Sequence, residues 1–157
     1  MMNENTLFCE NISRMDAEQG WHMGAHNKTY LIQISDVGYD NPIAKYENHF
    51  VDRIQLNFDD TEDENEVHAI NNAQAEMIAE FLQKAKRHNA NVIVHCHAGI
   101  CRSGAVVEAA MSIGYSDVEG RQRIPNSLVK RKVMQHLGTY ITPATSMFAE
   151  DFMKEPE

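Results

Sequence analysis

The residues His95-Cys96-His97-Ala98-Gly99-Ile100-Cys101-Arg102-Ser103-Gly104 are the part of this chain whose types and spacing can do chemistry. Cysteine and arginine flank five residues, with a glycine among them and a hydroxyl directly after the arginine. Residues 91–95 before them are β-branched and apolar and read as a strand. Residues 103–113 after them are Ala-rich and read as a helix that ends near Gly114. A strand, a curled loop and a helix in that order can turn successive backbone N–H groups inward as a nest for an anion. The helix aims its positive end at the same point. Gly99 permits a conformation or a close approach that a side chain would hinder. Arg102 offers a planar fork matched to two phosphate oxygens. Cys96 stands at the base, where a helix N-terminus and cationic neighbours lower a thiol from its ordinary pKa of about 8.5. The resulting thiolate is a nucleophile toward phosphorus. Ser103 can donate a hydrogen bond to the sulfur when it leaves, and His95 and His97 can reinforce the positive field.

This chemistry needs an acid, because the departing oxygen must take up a proton. Asp59, Asp60, Glu62, Asp63, Glu64 and Glu66 crowd one stretch upstream. As a whole the run reads as a solvated loop leading into a helix, with one Asp inside it free to do chemistry. The elements that must position these groups follow from the hydrophobic pattern. Residues 6–10 read as a first strand, and residues 11–19 as a short helix with Ser13 as its N-cap and Gly20 at its end. Residues 29–34 and 51–58 read as further strands, with Asp36, Gly38, Asp40, Asn41 and Pro42 marking a loop between them. Residues 69–88 form the clearest helix, with Ile70, Ala73, Met77, Ile78, Phe81, Leu82 and Ala85 on one apolar stripe. Helices over 127–137 and near 145–154 complete the chain. The order predicts one α/β domain spanning residues 1–157, with a mostly parallel central sheet flanked by helices. Ligands in such sheets bind at the carboxyl ends of the strands, which is where Cys96 falls.

A bare Cys-x5-Arg says little, but strand, Gly, Ser and helix around it make the pattern specific. His-Cys-x2-Gly-x2-Arg-Ser resembles the phosphate-binding loop of the cysteine-based protein phosphatases, and the order of parts most resembles their dual-specificity branch. The resemblance covers residues 30–137 and implies Cys96 as nucleophile, Arg102 as phosphate clamp and Ser103 as the hydroxyl that assists breakdown of a phosphocysteine. His97, Ala98, Gly99, Ile100 and Cys101 would line the cradle with Arg102, and His95 would support it. The family's general acid lies on a loop before the helix that leads to the Cys strand. Asp60, followed by Thr61, matches best, with Asp59 second and Asp63 third. Arg121-Gln122-Arg123-Ile124-Pro125-Asn126 resembles the family's basic-then-Pro-Asn segment. Cys101 departs from the pattern and resembles instead the loop of the low-molecular-weight tyrosine phosphatases. It is either a semi-buried thiol without a role or a partner for oxidised Cys96.

The net charge of −9 disfavours nucleic acid and anionic membrane as partners. No stretch approaches the length of a membrane span, and the acidic N-terminus has no basic region of a signal peptide. Cys9, Cys96 and Cys101 are too few for a disulfide framework and point to a reducing compartment, the cytoplasm. Neither metal nor organic cofactor is expected. His95, Cys96, His97 and Cys101 are ligand types but lack a second paired cluster, and the glycines beside His22 and His26 argue against a helix aligning them. Met77, Met111 and Met134 are read as core residues, Trp21 and His22 as candidates for the pocket mouth, and Arg121 and Arg123 as residues that draw anionic substrates. The implied substrate is a phosphorylated protein, with phosphotyrosine and then phosphoserine or phosphothreonine as targets. The same chemistry on a phosphoinositide, nucleotide or RNA 5′-phosphate, a phosphate-reading module without catalysis, and a rhodanese-like cysteine transferase are the competing readings.

Overall fold

The computed structural model describes residues 6–20, 28–40, 49–117 and 120–140. Trp21, His22, His26 and the helix expected near 145–154 lie outside them. In chain order the elements are β1 (Cys9–Ser13), α1 (Arg14–Gln19), β2 (Thr29–Ser35), β3 (Asp52–Asn57), α2 (Asn72–Arg87), β4 (Asn91–Cys96), α3 (Arg102–Met111) and α4 (Ser127–Leu137). The strands form one sheet in the order β1-β4-β2-β3, and every pair among them is parallel. The expected mostly parallel α/β architecture is therefore present, with β4 in the interior between β1 and β2.

Alternation along the strands divides the core. Val92, Val94 and Cys96 of β4 face the larger apolar cluster with Tyr30, Ile32 and Ile34 of β2, where α2, α3 and α4 pack. Ile93 faces the other way, with Leu31, Ile12 and Ala17 of α1. Val92, Ile93 and Val94 are fully buried, and each such side chain contributes about 1.5–3 kcal/mol relative to exposure. A strand buried on both faces needs this unbroken apolar run.

Several element boundaries differ from the sequence expectation. The first strand is Cys9–Ser13 rather than 6–10, because its partner β4 sets the register from Cys9↔Val92 to Ser13↔Cys96. Asn11 and Ile12 are thereby drawn into the sheet, and the helix begins at Arg14. Its Ser13 cap is as expected, accepting from the Asp16 N–H, and Gly20 closes it at φ 77°. The long helix starts at Asn72, since Asn71 and Gln74 exchange hydrogen bonds in a capping box. Its buried face is Ala75, Ile78, Ala79, Phe81, Leu82 and Ala85. Ala73 and Met77 of the expected stripe stand exposed instead. Met77 is 47% exposed and Met111 41%, so neither fills the core; Met134 does pack against it.

Candidate active site

An all-parallel sheet carries its four carboxyl ends on one edge. Arg14 follows β1, Asp36 follows β2, Asp59 and Asp60 follow β3, and β4 ends in Cys96. Residues distant in sequence thus meet at a cleft of about 450 Å³ whose walls include Asp36, Asp60, Cys96, His97, Cys101 and Arg102.

Cys96 is 2% exposed. Its Sγ accepts a hydrogen bond from the Gly99 N–H at 3.3 Å, and Ser103 Oγ lies 3.2 Å away. Both groups can donate to an anionic sulfur. Gly99 is required twice over. Its φ is 75°, and a Cβ there would collide with the Ile12 carbonyl carbon and the Ser13 nitrogen. The loop is buttressed from outside by Asn11, whose Nδ2 donates to Gly99 O at 2.6 Å and to Gln122 O at 3.1 Å. Ile124 N and Asn126 N donate to the carbonyls of Ile100 and Cys101.

Arg102 opens α3 with its side chain only 5% exposed. Its Nη1 donates to Asp36 Oδ1 at 2.7 Å and to the Phe58 carbonyl at 2.8 Å. Its Nε is buried and has no hydrogen-bond partner among the described residues. One edge of the guanidinium is therefore clamped, while a buried donor stays available for an oxyanion.

Asp60 is exposed on the cleft and is held by Asn126, whose Nδ2 donates to Asp60 Oδ1 at 2.8 Å and to Thr61 O at 3.1 Å. Asp59 lines the cleft too, but its Oδ1 accepts from Val37 N at 3.0 Å and its Oδ2 lies 3.5 Å from His68 Nδ1. The acidic run stays solvent-exposed, as expected, but two of its members also dock onto α4. Glu62 accepts from Ser127 at the start of α4, and Glu64 pairs with Arg131 at 3.3 Å. Asp63 accepts from Asn65 N within its own turn and is not among the groups lining the cleft.

His97 and Ala98 are exposed on the cleft, as expected, whereas His95 is not. Strand alternation turns it to the opposite face, where it is fully buried. Gln55 Nε2 donates to Gln33 Oε1 at 2.9 Å, and Gln33 Nε2 in turn bonds His95 Nε2 at 3.1 Å. With the Gln33 carbonyl oxygen engaged by Gln55, its amide nitrogen is the donor and that ring nitrogen the acceptor. His95 thus anchors the end of β4 by a cross-strand chain on the face turned away from Cys96.

The proposed attraction of substrates by Arg123 fails for a different reason. Its guanidinium is paired with Asp117 and with Glu108, the latter at 3.3 Å, so it ties the 120–126 segment to α3. Burial opposes ionisation of Glu108, but hydrogen bonds from Lys130 and Arg123 hold its carboxyl below the usual range. Arg121 lies 3.8 Å from Asp16 of α1. Sequence reasoning missed Asp36, Asn11 and Asn126 as site residues. Asp36 could have been found as a carboxylate directly after a β-run, and Asn126 was already in the Pro-Asn match.

Cys101 is partly buried and, like Cys9 and Cys96, unpaired. Burial pushes its thiol up, and the Asp60 carboxylate beside it pushes further. Iodoacetamide at pH 7.5 is expected to label Cys101 several-fold more slowly than an unstructured cysteine. Cys9, buried completely and shifted upward by that burial, is expected to react only after unfolding. Peptide mapping by mass spectrometry checks both, and Cys101 labelling as fast as a free peptide thiol would contradict the environment described.

Residues 21–112 match the family described as "Dual specificity phosphatase, catalytic domain". No curated protein matches the chain. Among solved structures, the human tyrosine phosphatase-like serine/threonine/tyrosine-interacting protein is similar at a TM-score of 0.59 and 20% identity, over 84% of this chain and 92% of that one. Human DUSP28 is similar at 0.53 and 16%, over 90% and 94%. A mouse putative dual specificity phosphatase complexed with zinc tungstate is similar at 0.50 and 16%, over 81% and 80%. At these identities the three share the fold. The family match covers more than half of the chain and includes Cys96 and Arg102, so the chain belongs to the dual specificity phosphatase catalytic-domain family and is a cysteine-dependent phosphatase.

Proposed function

We propose that the protein removes phosphoryl groups from protein side chains, phosphotyrosine together with phosphoserine and phosphothreonine, through a phosphocysteine on Cys96. One observation carries this: Cys96 Sγ, the Arg102 fork and Asp60 meet at a single cleft, each held by its own partner.

In the first step the Cys96 sulfur attacks phosphorus. The bond from phosphorus to the side-chain oxygen breaks, its electron pair leaves with that oxygen, and Asp60 supplies the proton that makes the departing hydroxyl. Arg102 and the loop's N–H groups stabilise the equatorial oxygens. In the second step water attacks the phosphocysteine and gives a proton to the Asp60 carboxylate. The S–P bond breaks with its electrons on sulfur, and Ser103 Oγ, 3.2 Å away, donates to the departing thiolate. Apart from water, the scheme calls only on groups of the chain.

The charge around the cleft favours a protein substrate over an inositol polyphosphate. Between Cys96 and Arg102 the loop carries neither Lys nor Arg, and Asp59 and Asp60 would face any cluster of phosphates. Three unpaired thiols support a reducing compartment, the cytoplasm. Among the described residues no helix is long and apolar enough to cross a membrane.

The test is hydrolysis of p-nitrophenyl phosphate by the purified protein in chelator and reductant. Chelator-resistant turnover supports the reading, and its absence from folded protein overturns it. The acid is tested by leaving group. Asp60→Asn is expected to lower kcat at least about tenfold on phenyl phosphate and clearly less on p-nitrophenyl phosphate, whose leaving group barely needs a proton. Asp59→Asn is not expected to show that contrast, because Val37 N and His68 already engage its carboxylate. The contrast in Asp59→Asn alone would transfer the role to Asp59.

A further inference from the structure

A second cleft, of about 430 Å³, opens beside the first and shares three walls with it, Asp36, Tyr39 and His97. Its own contributions are Ser35, at the end of β2, and Arg14, the residue that follows β1. Nothing in the proposed reaction uses this space or this arginine.

Arg14 and His97 are neighbours on this cleft, joined through their backbones. Arg14 N donates to the His97 carbonyl at 3.1 Å, so the backbone carrying Arg14 is bonded to the loop that carries the nucleophile. Arg14 Nε bonds Glu18 at 3.0 Å, with the two side chains 33% and 48% exposed. An exposed pair of this kind is weak, and a substrate anion can share the guanidinium or displace Glu18. The remaining carboxylate on the cleft, Asp36, is already paired with Arg102 at 2.7 Å. Tyr39, 65% exposed, stands on the wall common to both clefts as an apolar surface for a substrate backbone or ring. On the opposite side of the catalytic cleft lie Asp59 and Asp60, continued by the acidic run to Glu66. The mouth thus carries Arg14, with its weak partner Glu18, beside β1 and the run of carboxylates beside β3.

The geometry points to this second cleft as a flanking subsite in which Arg14 and His97 receive an anionic side chain of the substrate, next to the phosphorylated residue. The ligand is a carboxylate or a second phosphate on the same peptide. This rests on the protein-phosphatase reading above. It sets a direction for the bound chain, because an acidic neighbour is accepted on the Arg14 side and repelled on the Asp60 side.

The experiment uses phosphotyrosyl hexapeptides in which Ala, Glu, Lys or a second phosphotyrosine is placed in turn at each flanking position. Binding to Cys96→Ser and kcat/KM of the wild type are both measured. At one flank Glu and phosphotyrosine are expected to improve both readouts about fivefold over Ala, with Lys worse than Ala, as for partly screened charge pairs. The separate Glu and phosphotyrosine arms distinguish the carboxylate from the phosphate. Arg14→Gln is expected to bring the Glu-to-Ala ratio to within about twofold, and a ratio within one variant is unaffected by how much of it folds. Flat profiles, a preference for Lys at every position, or an acidic preference that survives in Arg14→Gln would overturn the subsite. Absence of p-nitrophenyl phosphate hydrolysis would instead count against the phosphatase reading, while the binding series would still decide the subsite.

Discussion

Cys96→Ser is expected to abolish hydrolysis of p-nitrophenyl phosphate, with kcat falling on the order of 10⁴-fold or more while the fold is kept. The substitution exchanges one atom. A serine hydroxyl is far less ionised at neutral pH than a thiol and far less nucleophilic toward phosphorus. The site itself would survive. The loop's bonds from Asn11 Nδ2 to Gly99 O, at 2.6 Å, and from Asn126 N to Cys101 O, at 3.0 Å, involve neither the sulfur nor its charge. The melting temperature should therefore stay within a few degrees of the wild type, and phosphopeptide binding should persist. Cys101→Ser is the companion variant. Cys101 sits on the same loop, but its thiol is pushed up by burial and by Asp60, and it is expected to be dispensable for turnover within a few-fold. A rapid acid quench with labelled substrate should place phosphorus on the tryptic peptide containing residue 96. Label elsewhere, or a Cys96→Ser enzyme within about tenfold of the wild type, would remove Cys96 from the role of nucleophile.

The features legible in the sequence were those set by neighbours along the chain. Ser13 and Gly20 bracket α1, Ser127–Leu137 is the helix expected after Pro125, and the Cys96 strand and loop fall where the pattern put them. The features that escaped were set by partners across space. Asn11 has the local preferences of a turn or cap residue, yet pairing with Val94 extends it as strand and frees its side chain to brace the Gly99 loop. Asp36 stands among Gly, Asp, Asn and Pro and looks like loop punctuation. Only the parallel alignment of β2 beside β4 brings it against Arg102. Arg123 looks like a free cation until Asp117 and Glu108 converge on it. His95 is adjacent to Cys96 in sequence, which suggests a shared site, but adjacency along a strand means opposite faces. The register that decides these cases is a long-range property, and local composition does not encode it.

Arg102→Lys tests that long-range arrangement, and its expected cost is about 10³-fold in kcat/KM with charge conserved. The wild-type guanidinium does two things at once. Nη1 is held by Asp36 Oδ1 and the Phe58 carbonyl, and Nε, on another edge of the same plane, stays available as a buried donor. An ammonium has no second edge. Drawn to Asp36 and Phe58 O it leaves the oxyanion without its fork, and drawn to the oxyanion it leaves a buried carbonyl unmatched. Asp36→Asn separates positioning from charge. The amide oxygen can still accept from Nη1 but carries no charge, so only a partial drop of about tenfold, carried mainly by KM for substrate and by weaker inhibition with vanadate, is expected from the weaker hold on Arg102. Asp36→Asn that matches the wild type in both, beside a collapsed Arg102→Lys, would mean that the hydrogen bonds from Nη1 orient the clamp without need of the carboxylate charge. Asp36→Asn as damaging as Arg102→Lys would mean that the carboxylate charge itself, and not only its hydrogen bond, holds the fork in place.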